Sequence, residues 1–360
     1  MAGDLILITG VSGFIGFKTL ILALESGFTV RAVIRKSEQA AKLESHNRVA
    51  PHKGNLQWVV IPNLSDTHSF DKHLTGVTGI LHIASPLAHE VLPISMSNLH
   101  KANSFQSDDY QRDIIDPALK VTQSILSAAH RAPSIKRVVI TSSAVTLVPF
   151  AWMFGPAPPS PDLTIFTAAD INSNNAGPYS SSIEAYFASK ALARIATKKF
   201  MDEEKPAFEF VNLLPSVVVG PDELATNAAE VLKGGNQFTL GPLLDANIPQ
   251  MVGAAVHVDD VVRAHIDALK PGVQGNREYI LSSDAPDGIN WDDVQQHVKK
   301  SFPEAVEKGT LKLGASVTAR PWRLDAQATE KAFGWKFAPF TETLGEVVEQ
   351  YLKFVEVEKK

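Results

Sequence analysis

Tyr186 and Lys190 stand four residues apart in Tyr186-Phe-Ala-Ser-Lys190, near the start of a long helical pattern. That spacing puts both side chains on one helix face, about one turn apart. A free tyrosine titrates near pH ~10, and an adjacent ammonium favours the phenolate, so the pairing is expected to lower that value. Reduction of a carbonyl needs such an acid, because hydride arrives at carbon while oxygen takes a proton. A lone Tyr/Lys pair at this spacing is more often an ordinary surface pair. The run Val138-Val-Ile-Thr141-Ser142-Ser143-Ala144 carries three hydroxyls near its end, on Thr141, Ser142 and Ser143. At a strand end over a binding crevice, one of them would hydrogen-bond a substrate oxygen; the plainer reading is a serine pair capping a turn.

A second cluster suits a dinucleotide. Thr9-Gly10-Val-Ser12-Gly13-Phe14-Ile15-Gly16 follows the first apolar run and opens the first helical one. One glycine serves the tight turn, one lets backbone approach a pyrophosphate, and one allows close helix–strand packing. Glycine spacing alone is weak evidence, but its place after the first strand of an alternating pattern strengthens it. Where the next strand ends, an acid would select a ribose 2′-hydroxyl. Arg35 and Lys36 stand there instead. A guanidinium matches a 2′-phosphate through paired charge-assisted bonds, so NADPH/NADP is favoured over NAD(H), against the alternative of a solvated basic pair.

Those groups need a scaffold, and the alternation of β-branched runs with helical patterns predicts an α/β fold, a Rossmann-type doubly wound parallel sheet. Strands are expected at Leu5–Thr9, Thr29–Ile34, Leu56–Ile61, Gly79–Ala84, Lys136–Thr141, Phe208–Leu214 and Arg277–Ser282. Helices are expected at Phe14–Ser26, Asp113–Arg131, Ser182–Glu204, Trp291–Ser301 and Thr341–Phe354. Ligands in such sheets sit at the strands' carboxyl ends. Three connections there look long: Ser85 to about Asp109, Val148–Pro161 running toward Ser182, and Pro221–Val252. The division expected is a dinucleotide-binding domain over 1–221, with a return segment at about 255–283, and a smaller C-terminal substrate-binding lobe from 222–254 and 284–360.

Composition narrows the partners. The chain has 360 residues, 44% hydrophobic and 20% charged, which is globular rather than disordered. A net charge of −5 provides no basic field for nucleic acid or an anionic membrane surface. With no cysteine, disulfides, thiolate metal sites and a cysteine nucleophile are excluded, and no metal site is expected. The start lacks a secretory signal pattern, and the apolar stretch Leu147–Pro159 is proline-broken and short of a membrane span. A cytoplasmic home is the expectation, and the Asn63-Leu-Ser sequon is therefore set aside.

Taken together, the glycines, Thr141-Ser142-Ser143-Ala144, Tyr186/Lys190 and Leu214-Pro215-Ser-Val217-Val218-Val-Gly220-Pro221 resemble the extended short-chain dehydrogenase/reductases. Within them the chain is most similar to the dihydroflavonol reductase, cinnamoyl-CoA reductase and fungal methylglyoxal reductase branch. The likeness runs from about Leu5 to Phe354 and includes His82-Ile-Ala84-Ser85-Pro86, His257-Val-Asp-Asp260 and Phe333-Gly-Trp-Lys-Phe. It implies that Ser143 polarises the carbonyl, Tyr186 donates the proton and Lys190 also holds the nicotinamide ribose. It further implies that Pro215, Val217 and Val218 border the nicotinamide and that Arg35, with Lys42, takes the 2′-phosphate. Asn63 and Leu64 would lie near the adenine, and Ser12, Phe14, Ile15, Ala84, Ser85, Pro86, Thr141 and Ser142 would line the cofactor. His257 and Asp260 read as structural.

For the substrate, flavonoid-reducing relatives carry an asparagine where this chain has Val148, and the cinnamoyl-CoA branch's Asn-Trp-Tyr signature is missing. Pro86, Val145, Val148, Phe150, Trp152 and Tyr186, with Phe154, would form an apolar or aromatic wall; a buried loop core is the competing reading. The expected substrate is a small-molecule aldehyde or ketone, with a polyketide-type ketone preferred. The loop from Ala88 to Asp109 is expected to act as a lid. Alternatives are an NAD(P)-dependent epimerase/dehydratase, a hydroxysteroid-type dehydrogenase, and a non-catalytic NADP redox sensor. A homodimer is compatible with any of them. A hydrolase lacks its Gly-x-Ser-x-Gly elbow and a metalloprotease its His-Glu-x-x-His.

Overall fold

The computed structural model describes residues 3–85, 107–154, 164–172, 176–244, 251–314, 319–320 and 322–358. Its strands are β1 (Leu5–Thr9), β2 (Thr29–Ile34), β3 (Leu56–Val60), β4 (Gly79–His82), β5 (Arg137–Thr141), β6 (Glu209–Pro215), β7 (Val217–Val219), β8 (Met251–Val252), β9 (Ala255–His257), β10 (Arg277–Leu281) and β11 (Ala319–Arg320). The helices are α1 (Phe14–Glu25), α2 (Glu38–Glu44), α3 (Asp116–Arg131), α4 (Phe150–Phe154), α5 (Ser182–Glu204), α6 (Ala228–Val231), α7 (Asn236–Leu240), α8 (Val258–Asp267), α9 (Trp291–Ser301), α10 (Pro303–Glu307), α11 (Gln327–Phe333) and α12 (Phe340–Glu358). A π-helical turn, Gln111–Ile115, leads into α3.

Seven strands form one parallel sheet in the order β10-β6-β5-β4-β1-β2-β3. Strand order therefore reverses between β1 and β4, which opens a crevice at their carboxyl ends. Both faces are covered. Ile6 and Ile8 pack with Phe17, Leu20 and Leu24 of α1 and Val261 and Ala264 of α8. Leu7 points the other way, into a core with Ile125, Leu126 and Ala129 of α3. Burial on both faces is why these strands read as continuous apolar runs rather than alternating ones.

A third apolar core joins Val219, Val231, Leu240, Trp291, Val298, Leu344 and Val347, so the regions 217–244, 289–313 and 340–354 cluster together. Trp322, Leu324, Ala326 and Phe337 instead belong to the core under α1 and α8, so the stretch 322–337 packs on the sheet. Two short parallel pairs, β7 with β9 and β8 with β11, connect these regions and were not expected from the sequence. Strands of two or three residues are too short to carry a periodic pattern. Among the described residues, no helix is long and apolar enough to cross a membrane.

Strand β4 ends two residues earlier than expected, and the reason is local. The N–H groups of Ile83 and Ala84 donate to Thr9 Oγ1 (3.2 and 3.1 Å) instead of to a neighbouring strand. The supposed loop Pro221–Val252 contains α6 and α7. Pro86 and positions 88–106 of the expected lid lie outside the described residues, as do positions 155–163 of the proline-rich stretch and the side chain of Phe154.

Candidate active site

Helix α5 begins at a fixed point. The Glu184 N–H donates to Ser181 Oγ (3.2 Å), while the Glu184 carboxylate accepts from the Ser180 N–H and hydroxyl (2.6 Å each). This reciprocal cap sets where the first turn starts, and hence where Tyr186 and Lys190 emerge. Both are half-buried, and Lys190 Nζ lies 5.9 Å from the centre of the Tyr186 ring.

Opposite them, β5 gives way to a 3-10 turn whose N-cap is Ser143. The Val145 N–H donates to Ser143 Oγ (3.3 Å), and the Ser143 hydroxyl lies close enough to the Tyr186 phenol to favour its phenolate. Ser143, Tyr186 and Lys190 thus converge at one strand end. Ser142 is buried, its N–H bound to Leu213 O (2.8 Å).

One electrostatic expectation is reversed. Burial pushes the Tyr186 phenol up to about 12, only partly opposed by the Ser143 hydroxyl, and Lys190 is not among the causes. Burial also lowers Lys190 to about 8. Desolvation disfavours each charged form and outweighs their mutual effect.

The glycine turn faces the crevice at the β1/β4 reversal. Gly10 has φ +80°, and a Cβ on it would sit 2.8 Å from Ala84 N. A Cβ at Gly16 would come within 2.0 Å of Gly10 O, so helix α1 packs directly on the turn's backbone. Gly13 caps α1 without a side chain, leaving the first helical N–H groups for an anion. Ser12 is exposed there; Phe14 and Ile15 are half-buried, as are Ala84 and Ser85 across the crevice.

Arg35 follows directly on β2 and is exposed. The N–H groups of Arg35 and Lys36 both donate to Gln39 Oε1 (3.0 Å), which shapes the turn and leaves the Arg35 guanidinium unpaired among the described residues. Lys42 is exposed on α2 and lies in the field of Glu230. Asn63 Oδ1 accepts from the Ser65 N–H (3.0 Å), closing its own turn, and Leu64 packs on the sheet. Pro215 is buried at the end of β6, with Val217 and Val218 half-buried beyond it.

Of the expected aromatic wall, Val148 is fully buried at 0% exposure and belongs to the sheet core, so it presents no face to a ligand. Phe150 and Trp152 are half-buried, edge-on to Phe187 (5.5 Å) and Phe166 (5.7 Å), and Val145 is half-buried beside them. Thr141 is committed elsewhere. His265 Nδ1 must donate to Val261 O (2.7 Å), so its Nε2 accepts from the Thr141 hydroxyl (2.7 Å). Burial lowers His265 to about 4, in keeping with a neutral ring. His257 and Asp260 hold backbone and Glu346: His257 Nδ1 accepts from the Asp259 N–H, His257 Nε2 meets Glu346, and Asp260 accepts from the Ala338 N–H (2.7 Å).

Sequence reasoning gave no role to Arg194, one turn beyond Lys190. Its guanidinium pairs side-on with Glu278 (2.7 and 2.6 Å) and also donates to Thr146 Oγ1, Asp170 O and Ala168 O. Among the described residues, no cluster of His, Asp or Glu could hold a metal ion.

The model of the NAD dependent epimerase/dehydratase family matches residues 6–281, most of the chain. The chain belongs to this family. This epimerase/dehydratase-family protein is an extended short-chain dehydrogenase/reductase. It is 32% identical over 366 residues to the ketoreductase CTB6 of Cercospora nicotianae, covering 99% of this chain and 97% of that one. It is 30% identical to the NAD-dependent epimerase/dehydratase ALT6 of Alternaria alternata, covering 94% and 95%. Its fold matches yeast methylglyoxal/isovaleraldehyde reductase Gre2, solved with NADPH, with a TM-score of 0.77 at 24% identity over 98% and 99% of the two chains. Membership brings a nicotinamide dinucleotide, NAD(P), as cofactor. The side-chain-free cradle at Gly10 and Gly16, the uncapped start of α1 and the unpaired Arg35 fit such a group.

Proposed function

We propose that this epimerase/dehydratase-family protein reduces a ketone or aldehyde to an alcohol with NADPH. The observation that carries the reading is the convergence of Ser143, Tyr186 and Lys190 beside the glycine crevice. Gly10, Gly13 and Gly16 would hold the pyrophosphate with backbone N–H groups, Arg35 the 2′-phosphate, and Lys190 the nicotinamide ribose. When bound, NADPH supplies the hydride that the carbonyl carbon receives.

The remaining steps belong to side chains of the chain itself. Ser143 donates a hydrogen bond to the carbonyl oxygen and polarises it. Tyr186 gives that oxygen its proton and is left as phenolate, which the Lys190 ammonium steadies until solvent restores the proton. A phenol pushed up to about 12 keeps its proton at neutral pH, which suits an acid in the reductive direction better than a base in the oxidative one. Phe150, Trp152 and Val145 would line an apolar or aromatic substrate, with the lobe of 222–254 and 284–360 closing the far side. Trp322, which packs with the sheet core, stands edge-on to Phe187 (6.5 Å) beside the site. A ketone of polyketide type is favoured by the aromatic lining and by the likeness to a ketoreductase.

The purified protein is expected to consume NADPH when given aryl ketones, aldehydes or polyketide-like ketones, followed by ultraviolet absorbance. Consumption with none of them would remove the reading.

Two further results are expected. Arg35→Ala raises KM for NADPH by about 10–100-fold, the worth of one or two charge-assisted bonds, and leaves KM for NADH unchanged. Equal effects on both cofactors would show that Arg35 does not meet the 2′-phosphate. In the pH profile of kcat/KM, Lys190 must carry its charge and Tyr186 its proton. With Lys190 lowered to about 8 and Tyr186 raised to about 12, reduction is flat through neutrality and falls as pH rises past about 8, through loss of the Lys190 proton. A profile flat to pH ~10, near a free lysine's value, would contradict the depressed Lys190 value.

A further inference from the structure

Beneath Lys190, the register of the sheet sets one row of residues across five strands: Thr9, His82, Ile140, Asn212 and Glu278. In-register neighbours of a parallel sheet point to the same face. The outer members are tied in pairs, Thr9 Oγ1 to His82 Nδ1 (3.0 Å) and Asn212 Nδ2 to Glu278 Oε1 (2.9 Å). Ile140 stands in the gap between the pairs. A cavity of about 40 Å³ lies there, and His82, Ile140, Asn212, Lys190, Ala193 and Arg194 are among its walls.

The hydrogen-bond polarity at this cavity follows from its surroundings. Thr9 Oγ1 already accepts from the N–H groups of Ile83 and Ala84, which uses both its lone pairs. Its proton must therefore go to His82 Nδ1, which makes His82 a neutral ring with the hydrogen on Nε2. The lowering of His82 to about 4, by burial and then by the Lys190 charge, agrees. Asn212 must turn its amide nitrogen to the Glu278 carboxylate, so its Oδ1 is the group left over. That oxygen is fully buried and has no partner. Lys190 Nζ likewise has no hydrogen-bond partner among the described residues. Two donors, His82 Nε2–H and the Lys190 ammonium, thus share a small cavity with one unanswered acceptor.

We propose that one ordered water seats over Ile140, accepting from His82 Nε2 and Lys190 Nζ and donating to Asn212 Oδ1, so that His82 and Asn212 act as positioning residues for Lys190. The volume exceeds the ~10–15 Å³ a water needs, and three polar partners lie within the usual range. The other titratable groups on the elements packed around Lys190 are already engaged. Glu278 is held by Arg194 and Lys198 (2.7 Å), the Tyr186 phenol faces the Ser143 hydroxyl, and His265 is bonded to Thr141. The water is therefore the acceptor that keeps the ammonium charged and aimed at the phenol from the sheet side. This inference rests on the role given above to Tyr186 and Lys190.

The test uses the whole chain. A high-resolution crystal structure is expected to show a water within hydrogen-bonding distance of all three atoms. His82→Leu and Asn212→Leu should each lower kcat about tenfold with KM nearly unchanged, and bring the falling limb of the pH profile down by about one to two units, the scale of one lost charge-assisted bond. Asn212→Ser keeps an acceptor and should restore most of that shift. Ala193→Val narrows the cavity without touching a polar group and should move the limb as the leucine variants do, which keeps the test open if Asn212→Leu fails to fold. A cavity without ordered water, or folded variants with the parent's limb, would overturn the bridge. If Tyr186→Phe is inactive while the folded His82, Asn212 and Ala193 variants keep the parent's limb, only the water bridge fails. A fully active Tyr186→Phe enzyme would instead remove the reading of the site itself.

Discussion

Replacing Tyr186 by phenylalanine lowers kcat for carbonyl reduction by about 10²–10⁴-fold, the usual worth of a positioned general acid. Among the described residues, the phenol is the group beside both Ser143 and Lys190 that can carry a proton to an oxygen. Because the proton moves only as the alkoxide develops, kcat and kcat/KM should fall together, with KM and the affinity for NADPH nearly unchanged. The fold should not suffer. Phenylalanine keeps the ring beside Phe187 and Ile183, and Ser143 retains the Val145 N–H. Steady-state kinetics with NADPH titrations, alongside a melting curve, separate the two outcomes. A variant with a raised KM and unaltered kcat would make Tyr186 a binding group, and the acid would have to be sought elsewhere.

The second large effect is on stability. Arg194→Met is expected to destabilise the protein by about 3–5 kcal/mol, since it leaves the Glu278 carboxylate buried without its principal partner. The two side chains are 0% and 6% exposed. Burial alone would raise Glu278, yet the bonds and charge of Arg194, together with Lys198 and Asn212, override it and hold the carboxyl below its usual value. Lys198 and Asn212 remain as lesser partners, which places the loss toward the lower end. Arg194 also ties Thr146, Ala168 and Asp170 to α5, so the segment after the proline-rich stretch should loosen with it. Denaturant unfolding gives the measurement. Adding Glu278→Gln to Arg194→Met should recover much of the loss, because the stranded charge is then gone; no recovery would mean that packing, and not charge, is what Arg194 supplies.

How much of this could be read from the sequence follows from the range of each signal. Strands β1 and β2 and helices α5 and α9 lie at the expected bounds, because their apolar patterns are long and Ser181 and Asn290 mark two of the starts. Tyr186, Lys190 and Ser143 could be paired because one helix and one strand end carry them. What depends on three-dimensional surroundings was not readable. The direction of the Tyr186 shift depends on burial, which a charge four residues away does not reveal. Val148 was ambiguous because an apolar side chain suits a pocket wall and a core equally. Arg194 drew no expectation, for its partner Glu278 is 84 residues away. His82 was noticed as part of a motif, but its tautomer needed the Thr9 hydroxyl, 73 residues earlier in the chain.

The order of the sheet also bears on how the molecule is made. Strand β1 cannot complete its pairing until β4 has been synthesised, β6 waits for β10, and Phe166 meets Leu324 only near the end. Contacts so distant along the chain make for slow folding, during which apolar strand faces stand open to other molecules. Refolding from denaturant should therefore give yields that drop as protein concentration rises, and a chaperone or dilution should restore them.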